Sequence, residues 1–215
     1  MTGRLTGRAG RLQLMHRLET ARRGCDLLER KRRILAEELA RLRLLSAQTR
    51  REWAEAAAEA AGWAARSLAL DGAQRIVDSA PRSPATVMVT WRGAMGVVYP
   101  DTAVVSIPAP EPVSASASLL VAARVHRDAV AAAARHAAAT RALTSVEAEL
   151  EATRLRQRAI ERRWIPRLET NLRELGHELD EQERQENVRL RWATGAGQAR
   201  GPDGVGGVVG AEARP

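Results

Sequence analysis

Two stretches of this 215-residue chain carry small or apolar residues that step by three and four along the sequence. From Leu18 to Trp63 they run Leu18, Ala21, Cys25, Leu28, then Leu35, Leu39, Leu42, then Trp53, Ala56, Ala60 and Trp63, broken only at Arg32, Ser46 and Thr49. A second stripe runs Leu143, Val146, Leu150, then Ile160, Trp164, Leu168, Leu172, Leu175 and Leu179, with polar breaks at Thr153 and Gln157. A stripe this narrow has to be covered by another helix, which is the mark of a coiled-coil seam. Two such helices at opposite ends of one chain fold most simply back on each other. The predicted fold class is all-α: a long antiparallel two-helix coiled coil from the N- and C-terminal helices, with a small β-hairpin insert in the middle. That design suits a stalk or lever better than an enzyme.

Composition supports thin helix-on-helix packing. Aromatic residues make up 3% of the chain and there is no Phe, so a thick globular core is excluded. The net charge of +8 is unevenly placed: residues 1–53 carry 14 basic and 6 acidic side chains, so the N-terminal arm is the basic element. Lys31 is the only lysine. No stretch approaches the roughly 20 apolar residues a transmembrane helix needs. The N-terminus, MTGRLTGRAGRL, lacks the apolar segment of a signal peptide. A single cysteine, Cys25, cannot pair within the chain, which predicts a reducing cytosolic setting and a small buried hydrophobe on the seam.

Punctuation divides the chain into four parts. Residues 1–78 form the N-terminal coiled-coil helix, frayed over its first ten residues and ending either near Asp71-Gly72 or after a further turn through Gln74–Asp78. Residues 79–113 form a hairpin and Pro-rich insert, in which ATVMVTW (85–91) and GVVYP (96–100) flank a tight connection at Arg92-Gly93-Ala94. AVVSIP (103–108) adds a third extended piece, and Pro108, Pro110 and Pro112 a linker. Residues 114–193 form the C-terminal coiled-coil helix, with Ser114, Ser116 or Ser118 as N-cap. Residues 194–215 are a Gly-rich tail without periodicity, expected to be disordered. Inside the second helix, Pro166 removes one backbone hydrogen bond. There the seam also changes to steps of four, from Ile160 to Leu172, so both signals predict that the rod bends or straightens near Trp164–Leu168. Gly24, inside the first helix, costs about 1 kcal/mol relative to Ala, which suggests a close backbone approach or a tolerated glycine.

No residue set stands out as catalytic. There is no GxxxxGK[ST] phosphate loop, and the tail glycines do not lead into a helix. His16, His126, His136 and His177 are scattered, and HELDE (177–181) lacks the second histidine of a zinc-protease motif. We therefore expect no catalytic, cofactor-binding or metal residues and no cofactor. The basic arm fits either phosphate contacts with nucleic acid or an acidic protein bore. Charge alone leaves both open.

Longer motifs separate the two. LETARRGCDLLERKRRIL (18–35) resembles the N-terminal helix of the D subunit of V-type and archaeal-type rotary ATPases, matching at Ala21, Arg23, Gly24, Asp26, Leu27, Leu28, Lys31, Arg32 and Leu35. The stretch 160–190 is similar to that family's C-terminal helix at Glu161, Ile165, Pro166, Leu168, Leu179, Asp180, Glu181, Glu183, Arg184, Arg189 and Leu190. Met95-Gly96-Val97 and Pro100 resemble its hairpin segment. All three pieces stand in the family's order.

The resemblance implies a non-catalytic central stalk, or rotor, subunit that couples ion translocation through a membrane ring to ATP synthesis or hydrolysis in a catalytic hexamer. The implied partners are the catalytic and non-catalytic hexamer subunits, the small F subunit of the stalk and the funnel subunit on the rotor ring. No direct nucleic-acid contact and no transmembrane segment are implied, and the protein would lie peripherally on the cytoplasmic side of the membrane. Implied head contacts are Arg8, Arg11 and Arg189, and implied hairpin contacts are Met95, Gly96 and Val97. The seam expected to carry torque is Leu18, Cys25, Leu28, Leu35, Leu39, Leu42, Trp53, Ile160, Trp164, Leu168, Leu172, Leu175 and Leu179. The competing reading is a basic coiled-coil adaptor for nucleic acid or an anionic membrane surface.

Overall fold

The structure, a computed structural model, describes residues 6–81, 83–108 and 116–198. Helix α1 spans Gly7–Asp71 and is followed by a short helix α2, Ala73–Asp78. Gly72 separates them at φ 79°, a left-handed conformation that side chains disfavour, so the Asp71-Gly72 stop has a backbone cause. Strands β1 (Thr86–Ala94) and β2 (Val97–Ser106) form an antiparallel hairpin. Helix α3 covers Ala117–Ala159, a π-helical turn covers Ile160–Trp164, and helix α4 covers Ile165–Gln198. The fold is all-α with a central hairpin, as expected.

Several local expectations change. Helix α1 begins at Gly7, so residues 7–10, expected to fray, are helical. Helix α4 continues to Gln198, so residues 194–198 of the expected tail are helical too. Residues 199–215, and Pro110, Pro112 and Ser114 of the linker, lie outside the described residues. The hairpin turn is Met95-Gly96, not Arg92-Gly93-Ala94, because Ala94 pairs with Val97 and the Arg92–Ala94 segment is strand. The third extended piece is the second half of β2. Asp101 is an extra residue there, opposite the Thr90–Trp91 step of β1, and this bulge made one strand look like two. Pro100 adjoins that bulge, where a missing N–H is tolerated.

Gly24 has no close neighbour: a Cβ built on it meets nothing within 4 Å among the described residues. It is a tolerated glycine. Just before Pro166, where a bend or straightening was expected, the helix makes a π turn at Ile160–Trp164. Proline cannot donate to the preceding turn, and a widened turn absorbs both that loss and the four-residue steps of the seam.

The described residues fall into two compact units, one within Arg23–Ile160 and the other joining those up to Arg22 with those from Glu161 on. In the first, Leu35, Leu39 and Leu42 of α1 pack with Ala142, Val146 and Leu150 of α3 and with Tyr99 of β2. Ala60 packs with Val125 and Ala129 in a smaller cluster further along. Cross-helix contacts run in opposite directions along the chain, Glu29 with Gln157, Arg43 with Glu147 and Thr49 with His136, which makes the pair antiparallel. In the second unit, Leu14, Leu18, Leu168 and Leu175 are buried, and Arg8–Glu183 and Arg22–Glu169, each at 2.8 Å, again run antiparallel.

Candidate interaction site

The hairpin is held by its second strand. Tyr99 is fully buried in the main cluster between α1 and α3, and its hydroxyl donates to Glu38 Oε1 at 2.6 Å. Arg41, one turn further along α1, donates to the same carboxylate from Nε and from a terminal nitrogen. The Arg41 hydrogen bond, helped by Tyr99 and opposed by partial burial, holds the Glu38 carboxyl below its usual range. Burial first, then the carboxylate beside it, pushes the Tyr99 phenol up. A buried hydroxyl without a partner costs about 1–3 kcal/mol, and Glu38 removes that cost here. Nothing in the local sequence around Tyr99 marks it as the hairpin's anchor; the sole signal is that it is the only tyrosine.

The other strand is open. Every residue of β1 from Thr86 to Gly93 is exposed, including Val87, Met88, Val89 and Trp91. At the tip, Met95 has φ 49° and Gly96 φ 86°, the signs of a two-residue type I′ turn. Asn or Gly is normally found at the first of these positions, so a methionine there keeps a strained backbone, a feature that clusters at functional positions. Met95 is exposed and Val97 half-buried.

The polar breaks in the seam make a layered set of contacts. Glu29 accepts from Arg32 and from Gln157 across the pair, and the Arg32 bond chiefly lowers its pKa. Lys31 donates to Glu149 at 2.6 Å, which lowers the Glu149 pKa, and Arg156 approaches the same oxygen at 3.5 Å. Thr153 is fully buried beside this layer, and its hydroxyl has no hydrogen-bond partner among the described residues. Further along, the Thr49 hydroxyl donates to the Leu45 carbonyl and lies 3.2 Å from His136 Nδ1, and the Trp53 indole stacks on His136 at 5.5 Å.

Of the expected seam, Leu18, Cys25, Leu35, Leu39, Leu42, Leu168 and Leu175 are buried, and Leu28, Ile160, Leu172 and Leu179 are half-buried. Trp53 and Trp164 are corrections: they are 40% and 49% exposed. Opposite Trp53, α3 buries small side chains, Ala129, Ala132, Ala138, Ala139 and Ala142, and the indole lies over His136 at the rim of the seam; Trp164 belongs to the π turn Ile160–Trp164, none of whose residues is buried. Arg11 and Arg189 are exposed, and Arg8 is salt-bridged to Glu183.

At the far end of the first unit, the Asp71 carboxylate accepts from the Ser116 and Ser118 hydroxyls at 2.7 and 2.6 Å. Those bonds, Ser118 foremost, lower the Asp71 pKa, and Ser116 Oγ accepts from the Leu119 amide as N-cap of α3. Next to this clasp lies an apolar cleft of about 350 Å³, bordered by Ser67, Ile76, Ile107, Leu119 and His126. Among the described residues there is no group of His, Cys, Asp or Glu able to hold a metal ion. Nor is any helix among them long and apolar enough to cross a membrane.

Fold and surfaces define a class: a two-helix antiparallel coiled-coil protein that carries a β-hairpin clamped to its flank. The family profile described as the ATP synthase D subunit matches residues 11–195, which takes in both long helices and the hairpin. The V-type ATP synthase D subunit of Anaeromyxobacter dehalogenans (strain 2CP-C) is 31% identical over 199 residues, 89% of this chain and 95% of that protein. The V-type ATP synthase D subunit of Thermus thermophilus is 29% identical over 205 residues, 91% of this chain and 90% of that protein. The chain belongs to the ATP synthase D-subunit family.

Proposed function

We propose that this protein is the central stalk subunit of a V-type rotary ATPase, coupling ion translocation through a membrane ring to ATP synthesis or hydrolysis in a catalytic hexamer. The observation that carries the reading is the family match over residues 11–195, supported by relatives named as the D subunit of V-type ATP synthases along nearly their whole length. The chain itself does no bond chemistry in this reading. It transmits torque, and its contribution is the stiffness of the helix pair and the shape it presents to its partners.

Each part then has a task. Leu35, Leu39, Leu42, Val146 and Leu150 keep the helices in register under load, and the hydrogen-bonded layer at Glu29, Lys31, Glu149 and Gln157 resists sliding along the seam. The basic residues near the termini, Arg8, Arg11 and Arg189, face the hexamer bore as a distributed positive surface. The tip of the hairpin, Met95-Gly96-Val97, touches a neighbouring subunit. The small F subunit of the stalk and the funnel subunit of the rotor ring are the remaining partners, and the complex lies peripherally on the cytoplasmic side.

Affinity purification of the tagged chain from native membranes tests this reading. Catalytic and non-catalytic ATPase subunits are expected to co-purify in fixed proportion. Recovery of the chain without any ATPase subunit, together with tight and steeply salt-dependent binding to DNA or anionic vesicles, would replace the stalk by the basic adaptor.

A further inference from the structure

We propose that β1 is a docking edge, and that an extended, apolar-rich segment of a partner subunit adds to the hairpin as a third strand along Thr86–Arg92. The proposal rests on the stalk reading for the identity of the partner's complex, and it moves the hairpin's main contact from the turn to the strand.

Four observations carry it. First, the sheet among the described residues has two strands, and β2 is committed: Tyr99 and Ala103 are buried, and the strand lies against α3. Among the described residues β1 pairs with β2 alone, so its outer edge is a row of N–H and C=O groups without a strand partner there. A row of that kind is a template for another strand.

Second, the edge lacks the usual protection. From Thr86 to Trp91 there is no lysine, no proline and no charge, and the first charge met is Arg92. The bulge could have twisted the edge away, but its extra residue, Asp101, sits in β2, so the nine residues of β1 remain unbroken. Third, the side chains on this strand are those expected of a covered one. Val87, Met88, Val89 and Trp91 lie at 52%, 61%, 37% and 64% exposure. In a strand, successive residues face opposite sides, so this run offers apolar contacts on both faces of the ladder. That feature selects a strand over a helix as the occupant, since a helix laid on one face would leave the other face uncovered.

Fourth, a two-stranded ribbon is marginal in water, and the anchor at Tyr99 fixes only β2. A third strand would turn β1 from an edge into the centre of a sheet. Its sequence would be apolar at successive positions, to match Val87, Val89 and Trp91 on one face and Met88 on the other.

Hydrogen exchange, read residue by residue, tests the proposal on the full chain, free and within the ATPase complex purified from native membranes. In the free chain every second amide of Thr86–Arg92 points away from β2 and exchanges quickly. In the complex those same amides are expected to slow by at least about a hundredfold, in an every-other-residue pattern. A Val89→Lys variant, whose exposed site should leave the helical signal unchanged, should lose that protection, and Val89→Thr should keep it.

Three results would overturn the proposal. If ATPase subunits co-purify but β1 exchanges at the free-chain rate while Met95–Val97 slows, the contact is the turn and the stalk reading stands. If the free chain at high concentration dimerises with β1 protected, the occupant of the edge is a second copy. If no ATPase subunit is recovered, the stalk reading falls and takes the partner with it.

Discussion

The Tyr99 hydroxyl donates to Glu38 Oε1 across 2.6 Å, and this one bond joins the hairpin to helix α1 inside the main apolar cluster. Because Glu38 is also gripped by Arg41, the carboxylate is already oriented when the hairpin docks. Tyr99→Phe should leave the ring packed and remove the bond, costing about 1–2 kcal/mol. Both ends titrate in the direction that weakens the clasp outside the neutral range. Glu38 has a folded pKa below its ordinary 4.5, so its contribution is present above that value and fades as pH falls through the lower folded value. Tyr99 has a folded pKa above its ordinary 10.0, so its contribution is present below that value and is lost as pH rises through the higher folded one. Urea melts of wild type and Tyr99→Phe should therefore differ most between about pH 5 and 9 and converge at both extremes. A constant difference across the range would show that the hydrogen bond is not the source.

Leu39 and Leu175 test the two compact units separately. Each is buried, and each should cost about 2–5 kcal/mol as Ala, and more as Asp, which buries a charge without a partner. Exchange rates should rise around Leu35–Leu42 in Leu39→Asp and around Leu168–Leu175 in Leu175→Asp. Circular dichroism melts unchanged by both Asp variants would refute the seam.

Met95 holds φ 49° at the first position of the turn, where asparagine is the better fit. Met95→Asn should stabilise the isolated chain by about 0.5–1 kcal/mol. If the turn also contacts a neighbouring subunit, the same variant should lower the ATPase rate of the reconstituted complex. Unchanged activity would remove Met95 from the contact surface.

Gly24 lies within α1 with open space where its Cβ would be. Gly24→Ala should raise stability by about 1 kcal/mol, through the helix term alone. If it stabilises the free chain yet weakens assembly, a partner's backbone approaches at this position, and a differential melt of free and assembled protein would show it.

Arg8, Arg11 and Arg189 are exposed, and single exposed pairs such as Arg8–Glu183 are worth about 0–1 kcal/mol. Single Ala variants should change turnover little, whereas the triple variant should loosen assembly with the hexamer, measured as the salt concentration at which the subunits separate. Normal assembly combined with the loss of a tight, salt-sensitive DNA complex would favour the adaptor instead.

The two long helices and many of their facing residues were legible in the sequence because helical periodicity is a local property. Leu35, Leu39, Leu42, Val146 and Leu150 repeat at the spacing that one helix presents to another, whatever else the chain does. That the helix would change near Pro166 was written in consecutive residues, a missing N–H and a changed step, but that the change takes the form of a π turn at Ile160–Trp164 was decided by the structure. What only the tertiary structure decided is which side chains on those stripes find room. Trp53 and Trp164 follow the spacing, but Trp53 lies at the rim over His136 and Trp164 falls in the π turn, while Thr49 and Thr153 are buried. The hairpin shows the same limit more sharply. Both strands are apolar, and Val87, Val89 and Trp91 look more core-like in sequence than Tyr99 does. Yet β2 is the strand that reaches the core, through Tyr99, Pro100 and Ala103, and its tyrosine bonds Glu38 on a helix 61 residues away, a partner that no local pattern encodes.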